Sequence, residues 1–227
     1  MKTIYLSIVL LLAGTAIANA QKGFHVGLEG AYNATFIINQ DAYGEQELDY
    51  AATTGFAGGL AIGYNIDNHF GLQLEAVSSN QGQHYIKQTA NEPTIYRNID
   101  LNYMHFPLLL KYSGGAQYAT RFFVMAGPEM SMLQKANLYY KDGTSSYTID
   151  VKNRFNKQDW AMVFELGADF TIYKGLYASA GIRLNYGLTD INDPAYRIPN
   201  HNGIYDASRN AWGGINIGLH YVFGHND

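Results

Sequence analysis

The chain has 227 residues, with 24 Gly, 19 Tyr, 11 Phe, no Cys and a net charge of −4. That length suits one all-β domain or a small pair. The mildly acidic balance shows no basic patch for nucleic acid, and the absence of Cys excludes disulfides and thiolate chemistry. Mean hydropathy is only −0.18 although 47% of residues are hydrophobic, so any apolar face must alternate with polar residues.

Residues 1–20, MKTIYLSIVLLLAGTAIANA, place Lys2 before an apolar stretch and end on small residues at Ala18 and Ala20. This is the pattern of a secretory signal cleaved before Gln21, leaving 21–227 as one domain. No Cys follows the cut, which excludes a lipid-anchored N-terminus. The later chain has no apolar run of the ~20 residues that a membrane helix needs.

Eight segments with a period of two follow. The first sets Phe24, Val26, Leu28, Tyr32, Ala34 and Phe36 against His25, Glu29, Asn33 and Thr35. The second sets Phe56, Leu60, Ile62 and Tyr64 against Gly59, Ala61, Gly63 and Asn65. In the third, Phe70, Leu72, Leu74 and Ala76 oppose Gln73 and Glu75. The fourth changes parity: Ile99, Leu101 and Tyr103, then Phe106, Leu108, Leu110 and Tyr112, with Pro107 at the switch, where a bulge is expected. The fifth carries Phe122, Val124, Ala126 and Met130 against Arg121 and Glu129. The sixth runs from Trp160 to Ile172 against Glu165 and Asp169, and the seventh from Leu176 to Tyr186 against Ser179, Arg183 and Asn185. The last sets Ile215, Ile217, Leu219, Tyr221 and Phe223 against Asn216, Gly218 and His220.

The connections alternate between short turns near Asp67, Gly115 and Lys174 and long polar stretches at 37–54, 81–98, 134–158 and 189–210. Short turns on one side and long loops on the other indicate an eight-stranded, antiparallel, up-and-down transmembrane β-barrel with periplasmic turns and four extracellular loops. A lipocalin-like soluble barrel shares the strand count but points its apolar face inward. Two observations favour an outward apolar face. It carries no mid-strand charge, and its aromatics sort by strand end: Phe24, Tyr64, Phe70, Tyr112, Phe122, Phe170, Tyr221 and Phe223 on the turn side, Phe36, Phe56, Tyr103, Trp160 and Tyr186 on the loop side. Two girdles are what two interfaces require.

The polar face supplies the lumen candidates: His25, Glu29, Glu75, Lys111, Arg121, Glu129, Glu165, Asp169, Arg183 and His220. Glu165 and Arg183 lie nine residues either side of Lys174, so a simple hairpin sets them opposite one another as a structural ion pair. His25 and His220 fall near the periplasmic mouth without further metal ligands. No catalytic or cofactor motif is present, and no cofactor is expected. The segment starting at Asp190 has Ala195 and His201 where a calcium loop needs Gly and Glu.

Loop aromatics Tyr43, Tyr50, Tyr85, Tyr96, Tyr139, Tyr140, Tyr147, Phe155, Tyr196 and Tyr205 offer a surface for a sugar or protein, or pack on one another. An outer-rim enzyme built on His84, Asp190 and His201, and a narrow pore, are the alternative functions.

The stretches GLQLEAVSSNQG, YMHFPLLLKY, FFVMAGPEM and YGLTDI resemble the PorT-like outer-membrane β-barrel proteins of Bacteroidota, over about Gly23 to Phe223. The resemblance implies an eight-stranded barrel in the outer membrane, in contact with its lipid. One branch of that family is associated with secretion and gliding machinery, but no functional residue carries over. Asn216, Gly218, Tyr221 and Phe223 also resemble the C-terminal signal read by the barrel-assembly machinery, here followed by Gly224 to Asp227 as an expected periplasmic tail.

Overall fold

A computed structural model describes residues 23–39, 48–115, 120–199 and 203–223. Ten strands run in chain order: β1 (Gly23–Ile38), β2 (Asp49–Ala51), β3 (Thr54–Asn65), β4 (Phe70–Lys87), β5 (Ile95–Gly115), β6 (Arg121–Asp142), β7 (Ser145–Asp150), β8 (Gln158–Tyr173), β9 (Leu176–Gly187) and β10 (Arg209–Val222). Eight of them close a ring in the order β1, β3, β4, β5, β6, β8, β9, β10, all antiparallel, and β10 returns to pair with β1. Short β2 pairs with β4 and β7 with β6, outside the ring. Closure removes every edge from the membrane-spanning part, so its ladder groups find partners without water except at the break beside Pro107.

No helix among the described residues is long and apolar enough to cross a membrane. The chain crosses with strands whose outward residues are apolar and exposed, among them Leu28, Leu60, Leu72, Leu110, Leu166, Ile182 and Ile217. Aromatic rings pair across strands at both rims: Phe24 with Phe223 at 5.9 Å and Phe70 with Tyr112 at 5.2 Å on one, Tyr32 with Phe56 at 5.0 Å on the other. Tight turns close the first of these rims. Asp67 Oδ1 accepts from the amides of His69 and Phe70, each at 2.7 Å, and Gly175 takes φ +70° between β8 and β9. The turn after Gly115 lies outside the described residues.

Three sequence expectations need correction. Much of the supposed loop is strand: β4, β5 and β6 contain 18, 21 and 22 residues, so 81–87, 95–98, 134–142 and 145–150 extend the sheet beyond the lipid. The parity of β5 never flips, because Ile99, Leu101, Tyr103, His105, Leu109 and Lys111 are all buried on one side. Pro107 interrupts pairing without shifting register, since Leu74↔Leu108 and Val77↔His105 belong to one register with β4. The register shift lies against β6, where Asn102 pairs with Lys135 and Tyr103 with Leu133, leaving Gln134 as the extra residue. Tyr103 is therefore not in the loop-side girdle; it is wholly buried inside.

What changes along β5 is the surroundings of the strand. Beyond the lipid, water takes the outer surface and the apolar residues turn inward. Ile37, Leu48, Tyr85, Ile99, Leu101, Tyr103, Leu133, Ala136, Leu138, Val151, Phe155 and Ile191 pack there as one cluster, a core of the soluble kind inside the outer half of the barrel. Phe155 and Tyr85, expected at the loop surface, belong to it.

Candidate functional site

The membrane-level lumen is filled by charge. Cross-strand register sets Glu165 opposite Arg183, and Arg183 Nε donates to Glu165 Oε2 at 2.5 Å. The two terminal nitrogens of the same guanidinium reach across the barrel to both oxygens of Glu75, at 2.6 and 2.8 Å. This bidentate fork is the geometry that suits Arg. Asn216 Nδ2 donates to Glu29 at 3.0 Å and to Glu165 at 3.3 Å. Gln73 Nε2 ties Glu29 and Glu75 together at 3.2 and 2.8 Å.

Toward the turn-side mouth, His25 Nε2 lies 3.2 Å from Gln73 Oε1 and His220 Nε2 lies 3.2 Å from Glu29 Oε1. The His25 and His220 rings are 5.7 Å apart, and Tyr177 stacks on His220 at 4.8 Å. Glycines make the room: a Cβ on Gly27 would strike the His220 imidazole, and one on Gly218 would press on Glu29 and Ser179. Lys111 Nζ donates to Asp169 Oδ2 at 2.7 Å and lies 4.4 Å over the Phe123 ring. Arg121, in register with Asp169, donates to the Asn68 carbonyl.

Above this tier lies a group that the sequence reading missed. His105 Nδ1 is 2.7 Å from Glu129 Oε1, and its Nε2 is 2.6 Å from Ser79 Oγ. Ser131 and Asn185 also bond Glu129, at 3.0 and 2.8 Å. Serine, imidazole and carboxylate thus stand in a nucleophile–base–orienter relation. All three are buried, and the cavity they touch, shared with Glu29, Arg183 and Asn216, measures ≈ 10 Å³, about one water molecule. The group lies enclosed in the barrel interior, with the Tyr103 ring 5.8 Å from that of His105. Its signal in the sequence was parity: His105 lies two steps from Tyr103 and six from Lys111, on the face that an assumed bulge at Pro107 divided.

Among the described residues no group of three or more His, Asp or Glu side chains could hold a metal ion. Of the rim-enzyme suspects, the two described, His84 and Asp190, have separate partners. His84 Nε2 pairs with Asp100 Oδ1 at 3.1 Å. Asp190 instead accepts from the Tyr205 hydroxyl at 2.8 and 2.9 Å and from Arg197 Nε at 2.9 Å. His201 lies outside the described residues. Burial and then the hydrogen bond to Asp190 push the Tyr205 phenol above its usual range.

The loop tyrosines separate into two sets. Tyr50, Tyr96, Tyr147 and Tyr196 are exposed, whereas Tyr139, Tyr140 and Tyr205 are half-buried and Tyr43 lies outside the described residues. Tyr147 stacks on Tyr140 at 5.1 Å, Arg97 covers Tyr140 at 5.2 Å, and Lys141 lies 5.9 Å from the Tyr96 ring. β5, β6 and β7 therefore carry rings and cations on paired strands rather than on free loops, Tyr96 with Lys141 on one face of the sheet and Arg97, Tyr140 and Tyr147 on the other.

A family model described as an outer membrane protein beta-barrel domain matches residues 19–193. Among solved structures, the chain is similar to Neisserial surface protein A, at 14% identity over 89% of this chain and 98% of that one, with a TM-score of 0.49. It is also similar to OprG from Pseudomonas aeruginosa, at 13% identity over 91% and 100%, with a TM-score of 0.48. A third similarity is to Ail of Yersinia pestis, at 9% identity over 88% and 100%, with a TM-score of 0.37. No curated protein matches the sequence. The fold assignment stands on the closed ring of strands and the family match.

Proposed function

This chain belongs to the outer membrane protein beta-barrel domain family, and from that premise we propose that it is a non-conducting anchor whose extracellular sheet and loops bind a partner at the cell surface. The observation that carries this reading is the pair of stacked plugs in the barrel. The Arg183 bridge from Glu165 to Glu75 spans the lumen at membrane level, and an apolar core closes the outer half. A pore or transport path needs continuous polar space, and the cavity between the plugs is ≈ 10 Å³.

The binding surface on this reading is the outer end of β5, β6 and β7, where Arg97, Tyr140 and Tyr147 cluster on one face of the sheet and Tyr96 with Lys141 on the other. Rings bring contact area with few rotamers to freeze, and cations add polar contacts. A glycan or a protein surface of acidic character fits that chemistry. Residues 1–20 act in this account as a cleaved export signal. Tyr221 and Phe223 serve as the assembly signal while closing the inner girdle, and the resemblance to PorT-like proteins fits a role as an accessory of secretion or envelope assembly.

The test is a pull-down from detergent extracts with wild type and a Tyr96→Ala/Tyr147→Ala variant whose folded barrel is verified by circular dichroism. Loss of the captured partners in the variant is expected. Equal capture by both proteins refutes the binding surface.

A further inference from the structure

The net charge of −4 hides a local concentration of lysines on the outer wall. The bulge in β6 exposes Gln134 and Lys135 beside the short 3-10 turn Lys152–Arg154 that follows β7. Lys152 Nζ donates to the Gln134 carbonyl at 2.7 Å, and Leu133 N donates to the Lys157 carbonyl at 2.9 Å, so these segments lie side by side. Between them opens a groove of ≈ 1130 Å³ lined by Asp150, Lys152, Asn153, Asn156, Lys157 and Asp193, ample for a headgroup. Lys152, Asn153 and Lys157 are exposed at its surface, while Phe155 beneath is buried. Among the described residues neither Lys135 nor Lys157 makes an ion pair.

The height of the groove matters. Gln158, also on its wall, shares the lipid-facing side of β8 with Trp160, Met162 and Phe164. Lys157 lies three residues outward of Trp160, about 10 Å along the strand direction. Trp marks the interface, so the groove opens in the headgroup layer of the outer leaflet.

We propose that this groove binds the phosphorylated headgroup of an outer-leaflet glycolipid, with Lys152 and Lys157 of its lining, and Lys135 on the adjoining bulge, facing the phosphates. The mixed lining selects this class. Ammonium groups favour phosphate, whereas Asp150 and Asp193 would repel a bare anion but accept from sugar hydroxyls, as the side-chain oxygens of Asn153 and Asn156 also would. A glycerophospholipid offers the charge without the hydroxyls. The site is separate from the tyrosine flank and rests only on the outer-membrane location.

The experiment titrates the protein in detergent micelles with a bis-phosphorylated disaccharide lipid, its dephosphorylated form, phosphatidylglycerol and inorganic phosphate, using the fluorescence of Trp160 in a Trp212→Phe background as readout. The same titrations are repeated on Lys135→Gln/Lys152→Gln/Lys157→Gln and on Lys157→Glu alone, each checked for fold by circular dichroism. The phosphorylated glycolipid should bind at least about tenfold more tightly than either other lipid, a factor of ten being 1.4 kcal/mol. Both variants should lose that margin, and millimolar inorganic phosphate should not displace the lipid. Equal binding by wild type and variants, equal affinity for phosphatidylglycerol, or displacement by inorganic phosphate overturns the proposal.

Discussion

From Ile99 to Lys111 one face of β5 points at the barrel axis, yet its outer end is apolar and its inner end polar. The two halves of the barrel follow opposite rules. Within the lipid, apolar side chains face out and the interior is mostly ion pairs and polar groups, with a small apolar cluster of Leu109, Phe123, Met125 and Val163 among them; above it, a larger apolar core fills the interior and polar residues meet water. The backbone is the same ladder in both, so the difference teaches that solvent, not strand geometry, decides which face of a β-strand is hydrophobic. The changeover falls near His105, where its imidazole and Glu129 form the last polar layer below Tyr103.

That contrast can be broken most strongly at the polar plug. Arg183→Met leaves the carboxylates of Glu75 and Glu165 buried without their cation, and removing one partner of a buried pair costs about 3–5 kcal/mol. Urea unfolding in lipid vesicles should show the loss, and an unchanged midpoint would contradict the plug. Next comes a paired truncation on one strand. Leu101→Ala opens a cavity in the outer core and should cost about 2–5 kcal/mol. Leu108→Ala faces lipid tails that refill the space, so it loses only the transfer term, about 2 kcal/mol for three carbons at ~0.8 each, and should cost less than Leu101→Ala. Equal costs would show that the two halves do not differ.

A charge placed on the lipid side sharpens the same boundary: Leu108→Lys should cost about 2–4 kcal/mol if the site lies near the midplane, measured again by urea unfolding. The smallest expected effect is in the loop hub. Burial, and then the hydrogen bond that the neutral Tyr205 phenol donates to Asp190, raise its pKa above that of the unfolded chain. The resulting stabilisation is fully present below about pH 10, the unfolded value, and disappears as pH rises through the folded one. Tyrosinate absorbance of wild type minus Tyr205→Phe should place this phenol among the later tyrosines to titrate; titration at or below the ordinary value contradicts the bond.

The ring of strands was legible because lipid imposes a strict rule on every outward residue from Phe24 to Tyr221, and the girdles repeat it at both rims. Glu165 and Arg183 were legible as neighbours because a tight hairpin fixes their register. Glu75 was not legible as the second partner of Arg183, since that contact spans 108 residues and depends on the stagger of the closed barrel, which no local pattern encodes. The sequence pattern takes the strand extensions for loops because their polar residues, such as Asn98, Asn137 and Lys141, hold the outward positions that lipid reserves for apolar ones. Tyr85 and Tyr103 then passed for surface rings when they are core.

Planar-bilayer recording of the purified wild-type protein tests the filled barrel most directly. The account predicts no single-channel steps over the voltage range in which the bilayer is stable. Steady, reproducible unitary currents that scale with salt would contradict it and restore the narrow pore.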